Sequence, residues 1–203
     1  MSDYISALSC GIYTDEEFKS IIEFFVLNAP VLKADKTDDF GLKSLKNFGW
    51  YGSSGMNKLE CELLKASQLP FLCFIRSSSI NATLEQMNLN DQICIEHPRA
   101  VLMQNYSFSI LENGVPKIEN AETRMECLFR HIRNSIAHNH TYVFDNGFIM
   151  LEDYDSKSKE VTARILIHKT ALLRWIHVIK KDNAHWEQPA SECQSEVELA
   201  TIG

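Results

Sequence analysis

The chain has 203 residues, of which 45% are hydrophobic and 23% are charged, and its formal net charge is −7. The length fits one domain, or one domain and a small appendage. The hydrophobic and charged fractions are typical of a folded globular protein. The negative net charge argues against nonspecific binding along a nucleic-acid backbone, which requires a broad basic surface, but it allows a small basic site.

The first residues and the apolar runs bear on localisation. MSDYISALSCGIYTDEEF lacks a basic segment followed by an apolar one, and no apolar run approaches the length of a bilayer-spanning helix. We therefore expect a cytoplasmic protein without a membrane partner.

The six cysteines form no Cys-x-x-Cys pair, so they are expected to be buried free thiols rather than zinc ligands.

The first half of the chain is predicted to be helical. A helix over 15–28 begins with a capping box formed by Thr14 and Glu17, and apolar residues at helical spacing follow. After a connector with one short helical piece, a long helix is predicted over 56–79, with a kink at Pro70. Two shorter helices are predicted as well, over 82–88 and 98–111.

From residue 119 onward the pattern changes from helix to strand and back. A helix capped by Asn120 carries an apolar stripe, which consists of Met125, Leu128, Phe129, Ile132 and Ile136. Asp145-Asn146-Gly147 lies between two apolar runs and predicts a β-hairpin, because these residue types tolerate positive φ. EVTARILIH predicts a third strand, and KTALLRWIHVIKK predicts a final helix.

These elements predict a mainly α-helical fold. We expect a helical bundle with a small antiparallel β-hairpin or three-stranded element after the helix that begins at Asn120. One domain is expected over 1–182. Residues 183–203 show little periodicity and are expected to form an acidic, flexible tail.

The stretch CLFRHIRNSIAHNHTYVF, which begins at Cys127, contains two arginines and three histidines but no carboxylate. On a helical wheel at about 100° per residue, its polar sector spans about 140° beside the apolar stripe. Arg133 and His138 lie at the two edges of that sector, with the small Ala137 between them. They can converge on one phosphate if a second copy of the helix packs antiparallel across Ala137 about a two-fold axis.

These side chains suit the cleavage of RNA without a metal or other cofactor. A neutral imidazole takes the proton of a ribose 2′-hydroxyl, and an imidazolium gives a proton to the leaving 5′-oxygen. A guanidinium donates hydrogen bonds to phosphoryl oxygens as negative charge builds on them. We therefore predict Arg133 and His138 as a catalytic pair, with the amide of Asn134 orienting the imidazole four residues away.

RNSIAH also matches the Arg-x4-His motif of the HEPN superfamily. The longer stretch CLFRHIRNSIAHNHTYVFDNGFIMLEDYD resembles a plasmid- and defence-associated branch of that superfamily, in which a β-hairpin follows the motif helix. The resemblance covers residues 120–182 and implies a helical bundle that forms a homodimer through the motif helix. By position it assigns Arg133, His138 and Asn134 to the catalytic site.

The resemblance carries expectations about function. Many HEPN proteins are metal-independent endoribonucleases that leave 2′,3′-cyclic phosphates and act in toxin–antitoxin or antiphage systems. An RNA substrate and an antitoxin partner are therefore implied for this chain. Asn139 stands where this branch often has glycine, and it is predicted to take the left-handed backbone that ends a helix.

Other residues near the motif are predicted to bind RNA, each with a structural alternative. Arg130 is either a solvated helix residue or part of a positive rim. His131 is either hydrogen-bonded within the fold or an RNA contact, and His140 either stabilises the helix end or contacts RNA. Tyr142 either packs across the hairpin or stacks on a base.

Two function classes stay open. The first is the metal-independent endoribonuclease, and the second is a non-catalytic HEPN-type module that binds RNA or a nucleotide, or that dimerises. The intact motif favours the first class, because a scaffold has no chemical need for its polar residues. Cys127 is expected to be a buried thiol rather than a nucleophile, and a metal site formed by the motif histidines is the less favoured alternative.

Overall fold

The computed structural model describes residues 11–31, 41–75, 80–90, 97–105, 107–110, 116–119 and 122–181. Its α-helices are α1 (Asp15–Ile22), α2 (Gly52–Ser67), α3 (Asn81–Gln86), α4 (Arg124–Ala137) and α5 (Thr170–Lys180). A π-helix (Glu23–Leu27) extends α1, and a 3-10 helix (Leu45–Phe48) precedes α2. The strands are β1 (Cys73–Ile75), β2 (Arg99–Met103), β3 (Ser107–Ile110), β4 (Pro116–Glu119), β5 (Thr141–Val143), β6 (Phe148–Tyr154) and β7 (Val161–His168).

Five of these strands form one mixed sheet with the order β1-β2-β7-β6-β5. β1 and β2 are parallel, and every other neighbouring pair is antiparallel. β3 and β4 pair with each other as a separate antiparallel hairpin. In the part of the chain that the structure describes, no helix has the length and apolarity needed to cross a membrane.

The prediction of a mainly α-helical bundle is wrong, because the five-stranded mixed sheet makes this an α/β fold. The strands expected after the motif helix are β5, β6 and β7, but β1 and β2 extend them into a larger sheet. The helix predicted over 98–111 is instead β2 followed by β3. The three central residues of β2 are buried, so this strand lacks the alternation that distinguishes a strand from a buried helix.

The long helix predicted over 56–79 is also wrong beyond Ser67. Gln68 has a φ of +57°, in the left-handed region, and its backbone N–H donates to the carbonyls of Leu64 and Lys65 at the end of α2. Pro70 follows two residues later and cannot continue the helical hydrogen bonding. The apolar residues beyond it therefore enter β1.

Several local predictions are confirmed. Thr14 and Glu17 form the capping box of α1. The hairpin between β5 and β6 turns at the predicted residues, where Gly147 has a φ of +84°.

The motif helix α4 begins after Thr123, whose side chain and that of Glu126 form a second capping box, rather than after Asn120. The tail predicted over 183–203 lies outside the described residues.

The sheet is buried on both faces. Ile149 and Leu151 of β6 point into the main core, which they share with α1, α2, α4 and α5. Met150, between them, points to the opposite face, where it packs with Leu84 of α3 in a smaller core. α4 contacts both β2 and β6, so the motif helix is held against the centre of the sheet with only its polar sector uncovered.

The aromatic contact of α4 with the π-helix tests this packing. Phe129 is fully buried, and its ring stacks on Phe25 with 6.3 Å between centroids. Phe129→Ala is expected to lower the free energy of unfolding by about 3–5 kcal/mol, because it leaves a cavity in the core. Urea denaturation measures this loss. Tyr51→Ala, at a side chain that is 68% exposed, is the control and is expected to change stability by less than about 0.5 kcal/mol. Equal effects of the two substitutions would contradict the assigned core.

Candidate functional site

The end of the motif helix is built as a Schellman motif. His138 is the last residue with near-helical backbone, and Asn139 follows with a φ of +64°, as its residue type predicts. The N–H of Asn139 donates to the carbonyl of Ile136 at 3.2 Å, and the N–H of His140 donates to the carbonyl of Ser135 at 2.8 Å. These two bonds are the paired closure that ends a helix on a left-handed residue. They reverse the chain sharply, so that His138 and His140 lie near each other.

The two histidines line one surface cleft of about 700 Å³. Their ring centroids are 6.4 Å apart, and the ring planes differ by 39°. His138 is exposed and His140 is half-buried. The cleft is also lined by Met103, Asn105, Arg130, Asn134, Asp153, Tyr154, Asp155, Ser156, Lys159 and Thr162.

His140 is anchored by β6. Its carbonyl accepts a hydrogen bond of 2.9 Å from the N–H of Glu152, which continues the pairing between β5 and β6. Its ring meets the ring of Tyr154 edge to face, with 4.8 Å between centroids. Nδ1 of His140 is buried and has no hydrogen-bond partner in the described part of the structure. The backbone of this residue is therefore fixed, while its ring nitrogens are not used by the fold.

His131 differs sharply from the other two motif histidines. It is fully buried, with Nδ1 2.7 Å from the carboxylate of Asp153 and Nε2 2.9 Å from the carbonyl of Met103. The ring thus links α4 to both β6 and β2. Of the two roles open for His131, hydrogen bonding within the fold is the one that its position favours.

Asp153 is the centre of a buried polar cluster below the cleft. Besides His131, it accepts a hydrogen bond of 3.1 Å from the amide of Asn134 and lies 3.7 Å from the guanidinium of Arg130. Burial opposes ionisation of this carboxyl, but the hydrogen bonds from His131 and Asn134 and the charge of Arg130 outweigh it and lower its pKa below the usual range. Asp153 therefore stays ionised and holds three α4 side chains in place.

Arg130 is held by a second carboxylate. Its Nε donates to Glu122 at 2.5 Å, and one Nη donates to the carbonyl of Met103 at 3.2 Å. A guanidinium with two carboxylate neighbours and about a quarter of its side-chain surface exposed is neither a fully solvated residue nor a free phosphate ligand. Arg130 lies at the cleft with its donors largely committed to the protein.

Arg133 does not line this cleft. Its side chain is half-buried, and Nε has no hydrogen-bond partner among the described residues. Within one chain the structure thus brings Asn134 and His138 to the cleft and leaves Arg133 outside it. The amide of Asn134 bonds Asp153 rather than the imidazole of His138, so the expected orienting bond is not observed.

Tyr142 lies on β5, the edge strand of the sheet, and its residue surface is 39% exposed. It does not belong to the cleft lining. Across the described ranges, no group of three or more histidine, cysteine or acidic side chains is arranged to hold a metal ion. The ring nitrogens of His131 are occupied by Asp153 and Met103, which separates it from His138 and His140.

Asp153 was not predicted as a site residue from the sequence. The pattern that indicates it is a pair of carboxylates, Glu152 and Asp153, inside the apolar strand FIMLEDY, where both are 3% exposed. Buried carboxylates require a partner. Glu152 has one directly across the sheet, where it is in register with Arg164 and forms an ion pair with it.

Comparisons with protein-family models, with curated proteins and with solved structures found no match for the chain. The HEPN resemblance therefore depends on the motif stretch alone.

Removal of the central carboxylate tests the polar cluster. Asp153→Asn is expected to lower the free energy of unfolding at pH 7 by about 3–5 kcal/mol, because it replaces the charged acceptor of the buried His131 and Asn134 hydrogen bonds and removes one of the two carboxylates beside Arg130. The folded-state pKa of Asp153 is depressed below an unfolded value of about 3.9. Its contribution is therefore complete above roughly pH 4 and is lost as pH falls through the folded-state pKa.

Urea denaturation from pH 7 to pH 3 measures this contribution. The difference in stability between wild type and Asp153→Asn is expected to narrow below roughly pH 4. Glu160→Gln, at an exposed carboxylate, is the control and is expected to have little effect. A difference that stays constant with pH would show that Asp153 does not stabilise the fold through its charge.

The cysteine of the motif helix gives a chemical test. Cys127 is buried, as expected, and burial together with the nearby Glu122 raises the pKa of its thiol despite the opposing charge of Arg130. Cys61, by contrast, is exposed, so the expectation of buried thiols is wrong for this residue. Since the thiolate is the reactive form, iodoacetamide at pH 8 is expected to label Cys61 well before Cys127. Peptide mass mapping follows the two sites, and urea is expected to abolish the difference. Rapid labelling of native Cys127 would contradict its burial.

Proposed function

We propose that this chain is a metal-independent endoribonuclease that cleaves RNA by attack of the ribose 2′-hydroxyl. The observation that carries the proposal is an exposed imidazole, His138, which ends the motif helix and lines a cleft of about 700 Å³. Imidazole is the side chain that most often transfers protons in catalysis.

The cleft offers hydrogen-bond donors to a phosphodiester, and its four charged side chains, Arg130, Lys159, Asp153 and Asp155, sum to a formal charge of zero. The carboxylates of Asp153 and Asp155 are engaged by the protein, since Asp155 accepts backbone hydrogen bonds from Lys157 and Ser158. Lys159 and the imidazoles carry donors without such protein partners among the described residues. Tyr154 also keeps its proton at neutral pH, because burial and then the hydrogen bond to Glu152 raise its pKa.

The clamp on the phosphoryl group is proposed to come from a second copy of the chain. Arg133 lies outside the cleft of its own chain, while Ala137 and His138 are exposed at the end of α4. An antiparallel two-fold packing across Ala137 would bring the guanidinium of the other copy towards His138. Asn134 supports the site indirectly, through Asp153.

The biological setting is proposed from the motif resemblance. It favours a toxin–antitoxin or antiphage system, with a cellular RNA as substrate and an antitoxin as a further partner. The net charge of −7 favours a selective substrate, such as one loop of a structured RNA, over nonspecific binding.

A second candidate function is RNA or nucleotide binding without cleavage. The absence of Arg133 from the cleft lining of the single chain favours it, because a monomer then lacks the proposed charge clamp. The two candidates differ in whether wild type produces cleaved RNA. They do not differ in whether it binds RNA.

The first experiment incubates purified protein with total cellular RNA in EDTA. Wild type is expected to produce 2′,3′-cyclic phosphate ends. Loss of proton transfer in His138→Ala is expected to lower the rate by about 10²–10⁴-fold, and loss of the clamp in Arg133→Ala by about 10²–10³-fold. His177→Ala, an exposed histidine on α5, is the matched control. A folded, dimeric wild type that leaves the RNA intact would favour the binding function.

Mixing the two inactive variants tests the shared site. If His138 of one chain works with Arg133 of the other, a mixed dimer of His138→Ala and Arg133→Ala contains one complete site and one site that lacks both groups. After subunit exchange, activity is expected to return to about a quarter of wild type, since about half of the dimers are mixed. A mixture without activity would place both residues in a single-chain site.

A further inference from the structure

We propose that His140 is the second proton-transfer residue of this ribonuclease, acting with His138 on opposite sides of one phosphodiester. This inference rests on the proposed ribonuclease function. It adds a catalytic group from the same chain, whereas the motif pair requires two chains.

The first support is the separation of the rings. Both imidazoles line the same cleft, with 6.4 Å between their centroids. In-line displacement at phosphorus places the attacking and leaving oxygens on opposite sides, so the base and the acid must lie on opposite sides as well. At this spacing one phosphoryl group can lie in front of the two rings, with a hydrogen bond of about 2.6–3.2 Å from one ring to the attacking oxygen and from the other ring to the leaving oxygen.

The second support is that the fold does not use these rings. Both ring nitrogens of His131 are hydrogen-bonded within the fold, one to the carboxylate of Asp153 and the other to the carbonyl of Met103. By contrast, the rings of His138 and His140 make no hydrogen bond to another described residue, and Nδ1 of His140 is buried without a partner. Because Nδ1 is enclosed by the protein, Nε2 is the nitrogen of this half-buried ring that we assign to the ligand.

The third support is preorganisation. The Schellman closure fixes the backbone of His138 and His140. The backbone of His140 is held a second time, because its carbonyl accepts a hydrogen bond from the N–H of Glu152. The edge of the Tyr154 ring restricts the His140 side chain. Two proton-transfer groups held at a constant spacing lower the entropic cost of reaching the transition state.

The proposed step balances without an oxidant or metal. One imidazole removes the proton of the 2′-hydroxyl, and the 2′-oxygen forms a bond to phosphorus. The bond from phosphorus to the 5′-oxygen breaks, and the other imidazolium protonates that oxygen. The products are a 2′,3′-cyclic phosphate and a free 5′-hydroxyl. Proton exchange with water returns both rings to their starting states.

The test measures kcat/KM against pH for a short RNA in EDTA, with wild type, His138→Gln and His140→Gln. Wild type is expected to give a bell-shaped profile, because one imidazole must be neutral and the other protonated. Each variant is expected to fall by about 10²–10⁴-fold and to lose one limb of the bell, with opposite limbs lost in the two variants. The variant that loses the basic limb is the one that lacks the general acid. Its cleavage rate is expected to recover on a nucleotide nitrophenyl phosphodiester, because the nitrophenolate leaving group needs no proton.

Wild-type rate and both limbs retained in His140→Gln would overturn the role of His140, even if His138→Gln is inactive. No cleavage by wild type, or an unaffected His138→Gln, would instead overturn the ribonuclease itself. If His140→Gln does not fold, His140→Ala with added imidazole replaces it, and dose-dependent recovery of cleavage is expected. A folded His140→Ala that imidazole does not restore would also overturn the proposal.

Discussion

The buried carboxylate of Asp153 is the constraint on which the rest of the site depends. It lies on β6, between β7 and the edge strand β5, and accepts hydrogen bonds from His131 and Asn134 of α4, with Arg130 close by. A charge at this depth is tolerated only because these donors surround it. The same contacts fix the rotation of α4 over the sheet. They therefore decide which motif side chains face the protein and which reach solvent.

The end of α4 shows how backbone geometry selects among similar side chains. The stretch CLFRHIRNSIAHNHTYVF contains three histidines within ten residues, and the residue type alone does not indicate which of them are structural. His131 lies on the side of the helix that meets Asp153, so its ring becomes part of the fold. The left-handed Asn139 turns the chain immediately after the helix and places His138 and His140 at one cleft. The division between structural and available imidazoles therefore follows from the helix face that meets Asp153 and from the turn at Asn139.

A motif that resembles HEPN proteins lies here in an α/β fold with a five-stranded mixed sheet. The same local arrangement of side chains can occur on different folds, because chemistry depends on the site rather than on the surrounding architecture. The sheet supplies what the helix cannot: β6 provides Asp153 beneath the cleft, and it anchors His140 through Glu152. In the proposed dimer the second copy would supply only Arg133, which lies outside the cleft of its own chain.

Local features of this protein were determined by the sequence alone. The capping box of α1, the hairpin at Gly147, the apolar stripe of α4 and the left-handed Asn139 each depend on residues close together in the chain. Local patterns also predicted β5, β6 and β7, but they did not predict the extension of the sheet by β2, because β2 is buried on both faces and lacks a strand's alternation. Only the tertiary structure placed Asp153 under His131 and left Arg133 outside the cleft that His138 lines. Those relations join residues far apart in sequence, or depend on how a helix is rotated against its neighbours, and local patterns carry no information about either.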